Sequence, residues 1–255
     1  MKWTVSSNKA QRKPHPAGER FFEGGPLRAI LKALSHYAFN HSPYSSHLLM
    51  LGHFPPADEP RRVLDVGCGN SYLGAILAAR GYTVVGIERP GGWTEIPPGV
   101  RLIEADLDCG LPAIDGVFDA IVCGDVLEHV RHPDLILRQL GLLLAPGGVI
   151  VASLPNSGNL YFRLVVLSGR FPKQDKGLFD RTHIHFYTFD GWRNLFTQTG
   201  LVWRSVEPSA IPLSLRFESL SHSRVMRWAD TLCYLLARLW TRLFAYQFIV
   251  VAAPR

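Results

Sequence analysis

Three imidazoles and a series of carboxylates are the residues of this chain best suited to chemistry. Asp125, Glu128 and His129 fall at i, i+3 and i+4, which places them on one face if that stretch is helical. Further along, Arg181-Thr182-His183-Ile184-His185-Phe186-Tyr187 sets two imidazoles at i, i+2, on one side of an extended chain. Groups of this kind move protons or hold a divalent cation. The loop Asp65-Val66-Gly67-Cys68-Gly69-Asn70-Ser71 adds a second feature. Its two glycines allow bare backbone N–H groups at a helix start to come close to a ligand. Acids then recur along the chain at Asp65, Glu88, Asp106 and Asp125.

These acids fall at or just beyond the ends of segments that read as strands. Arg62–Val66, Thr83–Glu88, Arg101–Glu104, Asp119–Cys123 and Gly148–Leu154 are short apolar or β-branched runs, and helical segments separate several of them. That alternation predicts a doubly wound parallel sheet. Leu201–Glu207 and Tyr246–Ala252 supply strands six and seven. Ligands of such sheets bind beyond the carboxyl ends of the strands, where the four acids stand. A dinucleotide-binding loop wants a small residue three places after its second glycine, for close helix packing. Tyr72 stands there instead, which opposes an NAD-linked oxidoreductase.

The ordered set of motifs from about 60 to 205 resembles the class I S-adenosylmethionine-dependent methyltransferases, and within them a bacterial "type 11/12" subgroup. Asp65 to Gly69 matches their first motif, and Val84-Val85-Gly86-Ile87-Glu88 their second. Glu104-Ala105-Asp106-Leu107, Phe118 to Asp125 and Leu144-Ala145-Pro146-Gly147-Gly148 match the following ones. The resemblance implies a Rossmann-like α/β fold: seven mostly parallel strands, helices on both faces and an antiparallel last strand. It implies S-adenosyl-L-methionine as cofactor, held by Asp65, Gly67, Cys68, Gly69, Asn70, Glu88, Arg89, Ala105, Asp106, Leu107, Cys123, Gly124 and Asp125. Glu88 would hold both ribose hydroxyls and Asp106 the adenine amino group. His129, His183 and His185 are the catalytic candidates, with His129 orienting or deprotonating a substrate hydroxyl. For His183 and His185 the alternative is a hydrogen-bonded loop that roofs the site. Two acids, a histidine and a distant histidine also resemble the Mg²⁺ set of some O-methyltransferases. The first acid here is Asp where those have Glu, so no metal is expected. The Asn/Asp-Pro-Pro-aromatic motif of amine-methylating DNA enzymes is missing, which argues against base N-methylation of that type; nucleic acid is not the expected partner, and the expected acceptor is oxygen of a small molecule, glycan or lipid-linked intermediate.

At 255 residues, one domain with additions is expected, with 47% hydrophobic and 19% charged residues as in ordinary globular chains. The net charge of +6 sits at the two ends. Residues 1–20 read as a flexible basic tail, 21–60 as a helical segment and proline-rich linker, and 61–255 as the catalytic domain. Four cysteines without regular spacing, the lack of an apolar leader core and the lack of an 18-residue apolar run point to a reduced, cytoplasmic protein. Between strands six and seven lies an insertion, about 208–243. Read as one helix from Arg224 to Leu243, it gathers Arg224, Arg227, Arg238 and Arg242 in one sector. Met226, Leu232, Leu236, Leu239, Trp240 and Leu243 lie opposite. The simpler expectation packs that apolar side on the sheet or over the pocket. The other is peripheral contact of 224–243 with the inner face of a membrane. A non-catalytic, cofactor-binding accessory subunit docked through the same insertion is the alternative function.

Overall fold

The computed structural model describes residues 42–211, 213 and 223–255. The expected basic tail and the helical segment up to residue 41 lie outside the described residues. Seven strands carry the fold: β1 (Arg61–Val66), β2 (Tyr82–Glu88), β3 (Val100–Glu104), β4 (Phe118–Gly124), β5 (Leu144–Pro155), β6 (Leu201–Pro208) and β7 (Gln247–Pro254). They form one sheet in the order β3-β2-β1-β4-β5-β7-β6. β7 runs antiparallel to both β5 and β6, and the remaining pairs are parallel. The fold is therefore the expected Rossmann-like α/β sheet.

The central strands are apolar on both faces because helices cover both. On one face Leu64, Val66, Ile150, Ala152, Phe248 and Val250 meet α3 (Pro133–Leu142) and α5 (Phe189–Gln198) through Leu137, Leu140, Trp192 and Phe196. On the other, Val63, Val84, Val149, Val151 and Ile249 meet α1 (Ser46–Leu51) and α2 (Tyr72–Ala79) through Met50, Leu51, Ile76 and Leu77. The stretch read as a linker, 52–60, is bound to this second face. Phe54 is buried, the Arg80 guanidinium donates to the Leu51 and Phe54 carbonyls at 2.7 and 2.6 Å, and the Tyr82 hydroxyl donates to the Pro55 carbonyl.

From β1 the chain order runs to β2 and β3 on one side and to β4 and β5 on the other. The crevice at that switch is where open α/β sheets take their ligands. β6 runs the same way as β1 to β5, so its end and the start of β7 share the edge of that crevice. The insertion between them therefore emerges at the ligand edge.

The insertion departs from expectation in two ways. It is not one helix: α6 (Arg224–Leu239) stops at Trp240, whose φ of −138° and ψ of 74° are not helical, and α7 (Thr241–Phe244) follows. The break turns the chain so that the Ala245 carbonyl reaches the buried side chains of Asn156 and Asn159, each donating at 2.9 Å. Arg242 leaves the arginine sector, pairs with Asp190 and lies over the Phe189 ring. The facing is also not the expected one. Met226, Asp230 and Ala237 are buried, whereas Leu232, Leu239 and Trp240 are exposed. No described helix is long and apolar enough to cross a membrane.

Candidate active site

The loop after β1 folds as its glycines require. Gly67 has φ of 65° and Gly69 φ of 52°, and a Cβ on Gly67 would lie 2.0 Å from Val126 Cγ2. Only glycine lets the loop backbone come so close to the Val126 side chain. Ser71 is also left-handed, at φ 51°, a conformation that costs energy in a non-glycine residue and clusters at functional sites. Its hydroxyl donates to Asp65 Oδ2 at 3.2 Å. Asp65 is buried beneath the loop. Burial pushes its carboxyl up to about 7, against the opposing bonds from Ser71 and the Gly74 backbone. Asp65 thus shapes the loop from below, and the loop backbone faces the crevice.

Glu88 closes β2 beside that loop. Its Oε2 accepts from the Gly69 amide at 2.7 Å and its Oε1 from the Arg89 amide at 3.0 Å. Each carboxylate oxygen keeps a lone pair, so the pair can still accept from two vicinal hydroxyls. Asn70 Oδ1 accepts from the Thr94 amide at 2.7 Å, tying the loop to the segment after β2. Trp93 Nε1 donates to Glu104 Oε1 at 3.0 Å. Ala105 N donates to the Glu88 carbonyl, and Asp106 caps a short 3-10 turn at Leu107–Cys109 through its bond from the Asp108 amide. Cys68 and Cys123 are free thiols, and burial pushes both up. The structure brings the thirteen expected cofactor residues to one edge, the carboxyl ends of β1 to β4.

The stretch from Asp125 to Val130 is a turn and not the helix assumed above. Asp125 takes φ of 55°, and its Oδ1 accepts from Ser153 Oγ at 2.7 Å and Gln247 Nε2 at 2.6 Å. The reversal at Asp125 breaks any helical register, so Glu128 turns inward and His129 toward the later loop. Glu128 is 1% exposed, and its Oε2 has no hydrogen-bond partner among the described residues. Burial, with the Asp125 charge, raises its pKa well above the ordinary carboxylate range. Its backbone carbonyl accepts from the Ile184 and His185 amides, which seats the later loop over the turn.

The two later histidines part company. His183 stands edge-on to His129, ring centroids 4.8 Å apart at 66°. Burial and the neighbouring His129 hold its pKa below the ordinary imidazole value. His185 instead bonds the Val130 carbonyl through Nε2 at 2.9 Å and stacks on Tyr187. Of the pair, the geometry puts His183 against His129 and gives His185 the roof position. His129 Nδ1 lies 3.2 Å from the Thr182 carbonyl, which can only accept, so Nδ1 bears the proton and Nε2 is the basic nitrogen. Thr182 is itself set by Asp180, which accepts from its amide and hydroxyl. Sequence reading missed Ser71, Ser153, Gln247 and Thr182. The Asp-x-Thr spacing at 180–182 is a local turn signal for the last. Gln247 is met only through a contact 122 residues away.

Glu128, His129 and His183 bring three ligand atoms within 4.8 Å of one another. A carboxylate and two imidazoles fit a divalent cation as a donor set, and Glu128 has an oxygen to give. A cation there would act on a substrate hydroxyl as a Lewis acid.

Beside His183 lies an aromatic wall. Phe162 and Phe179 stack at 4.4 Å, Phe171 and Phe186 meet edge to face, and the Phe186 ring is 6.2 Å from that of His183. These residues come from α4 (Leu160–Leu167) and the loop after it. Asn159 caps α4 by accepting from the Tyr161 amide, and Arg163 Nε donates to the Gly158 carbonyl.

Comparison with known proteins gives one consistent answer. The model of a methyltransferase-domain family matches residues 38–206. A ubiquinone biosynthesis O-methyltransferase of Chromobacterium violaceum is 31% identical over 122 residues, 44% of this chain and 51% of the relative. A protein of the same description from Alkalilimnicola ehrlichii is 28% identical over 173 residues, 63% of this chain and 68% of the relative. The chain spans about half the length of the first curated relatives that it matches. Among solved structures, a possible histamine N-methyltransferase of Thermotoga maritima superposes with a TM-score of 0.57 at 14% identity, covering 90% of this chain and 98% of the other. A putative methyltransferase of Haloferax volcanii, solved with its activator Trm112, gives 0.56 at 16%, covering 93% and 98%.

Proposed function

Because the chain belongs to the methyltransferase-domain family, and its motifs are those of class I S-adenosylmethionine-dependent enzymes, we propose that it moves a methyl group from that cofactor to a hydroxyl oxygen of a small apolar molecule. The observation that carries the oxygen acceptor is the 3.2 Å contact between His129 Nδ1 and the Thr182 carbonyl. Nδ1 is committed to the Thr182 carbonyl, which leaves Nε2 as an unencumbered base beside the neutral His183 ring.

The cofactor supplies a methyl on a sulfonium cation. Glu88 and Asp106 would hold its nucleoside end, and Gly67–Ser71 with the β4 terminus at Cys123–Asp125 its methionine end. An acceptor resting on Phe171 and Phe186 would present its hydroxyl to His129 Nε2, which takes the proton as the oxygen attacks the methyl in line. Most of the acceleration then comes from holding oxygen, methyl and sulfur in line within a dry site. The curated relatives named as O-methyltransferases support oxygen, and the aromatic wall supports an aryl or lipid-like acceptor rather than a bare glycan. A membrane-borne acceptor agrees with the outward face of α6.

The test is transfer of label from methyl-labelled S-adenosylmethionine to extracts of the source cell and to simple catechols, with calorimetry of S-adenosylhomocysteine. Binding of S-adenosylhomocysteine with labelled ether products is the expected result. Absence of S-adenosylhomocysteine binding, or label only on nitrogen, would overturn the reading.

A further inference from the structure

We propose that the outward face of α6 docks on an anionic membrane surface, lying in its plane. This helix is inside out for one on the surface of a globular domain. Its inner side buries Met226, Asp230 and Ala237 and sets the Tyr234 hydroxyl on Glu207, with the Tyr234 ring stacked on Tyr44. Its outer side carries Val225, Trp228, Leu232, Leu235 and Leu239, at steps of three and four residues that make one continuous stripe. Trp228 is 76% exposed and Leu239 82%, and the other three are more than half exposed. Five large apolar side chains exposed side by side form a contiguous patch of the kind that marks a protein or membrane contact, unlike apolar residues scattered singly.

Charge selects the occupant. Arg224, Arg227 and Arg238 are exposed along one flank of the stripe, and the one acid of α6, Asp230, is on the buried side. A second copy seated on the same stripe would add arginines and no exposed acid from this helix to pair with them. A layer of lipid phosphates supplies that counter-charge, while the acyl boundary takes Leu232 and Leu235, and Trp228 suits the level between. At 16 residues the helix is too short to span, so it lies flat.

Topology gives the docking a purpose. The insertion leaves β6 and returns to β7 on the ligand edge of the sheet, and the first residue of β7, Gln247, bonds Asp125 in the site. Docking through α6 therefore brings the pocket rim toward the lipid surface, and the acceptor is a hydroxyl compound dissolved in the membrane. That last step rests on the methyl-transfer reading, whereas the docking does not.

The experiment is sedimentation of the full chain with vesicles of phosphatidylglycerol and phosphatidylcholine, against vesicles of phosphatidylcholine alone. The wild type should sediment with the anionic vesicles at least tenfold more strongly, and added salt should weaken it. Leu232→Ser/Leu235→Ser and Arg224→Gln/Arg227→Gln/Arg238→Gln should each cut that partition about tenfold, with circular dichroism and S-adenosylhomocysteine affinity unchanged. Equal partition onto both vesicles, variants that sediment like wild type, or no vesicle binding together with a dimer that Leu232→Ser/Leu235→Ser dissociates would each overturn the proposal. A wild type that sediments yet binds no S-adenosylhomocysteine would overturn methyl transfer and leave the docking standing.

Discussion

His129 and Glu88 divide the chemistry between an acceptor half and a cofactor half, and each can be removed separately. With His129 Nδ1 spent on Thr182, replacing His129 by Ala removes the base and leaves the cofactor loop untouched. Turnover should fall by roughly a hundredfold or more, with S-adenosylhomocysteine affinity retained in calorimetry. Chelation should leave wild-type turnover unchanged. Loss with chelator and recovery on adding a divalent cation would instead assign Glu128, His129 and His183 to a metal. On the other half, Glu88→Ala should weaken S-adenosylhomocysteine by about 1.5–3 kcal/mol, the usual weight of hydrogen bonds to a charged group. Asp106→Ala should cost less, because one amino contact is at stake. Unchanged affinity in Glu88→Ala would show that the end of β2 does not hold the diol.

The loop after β1 tests the same site as an element. Gly67 and Gly69 share a left-handed backbone, but a Cβ on Gly67 strikes Val126 whereas one on Gly69 meets nothing within 4 Å. Gly69→Ala should therefore cost only the backbone preference, about 1 kcal/mol, and Gly67→Ala that plus overpacking, about 2–4 kcal/mol. Thermal unfolding of the two variants should rank them in that order, and equal midpoints would remove the argument from Val126. That contact was not legible in sequence, although both glycines were. The strands were legible because an apolar β-branched run bounded by Gly or Pro has few other fates: Arg62–Val66 was expected and Arg61–Val66 is found. The Asp125–His129 spacing was ambiguous, since i, i+3, i+4 suits a helix and a tight turn alike, and the positive φ of Asp125 decides between them. For α6, periodicity separates two sides and is silent on which one meets the protein. Hydrogen bonds at Asn156 and Asn159 hold the chain's path past Trp240, and the facing of α6 goes with the Tyr234 contacts to Tyr44 and Glu207.

At the scale of the whole molecule, buried acids tie the stability of the fold to pH. Asp65 titrates near 3.8 when unfolded and is pushed up to about 7 when folded, chiefly by burial, and Glu128 is raised for the same reason. An acid whose folded pKa is raised binds its proton more tightly in the native state. Its contribution is therefore fully present below the unfolded value and is lost as pH rises through the folded one. The window for Asp65 runs from about pH 4 to about pH 7. His183 works the other way: its folded pKa lies below 6.5, so the unfolded chain gains the proton first and stability falls on acidification below that value. The two trends cross, so the wild-type profile alone cannot separate them, and Asp65→Asn does. An Asn at 65 still offers Ser71 an acceptor and carries no charge to bury. Urea unfolding without cofactor should show the variant gaining on wild type between about pH 4 and about pH 7, by an amount on the order of a few kcal/mol. At about pH 4 the two should be nearly level. A difference that stays constant across this range would mean that Asp65 is ionised beneath the loop throughout, with the Ser71 hydroxyl and the Gly74 amide meeting the whole cost of its burial.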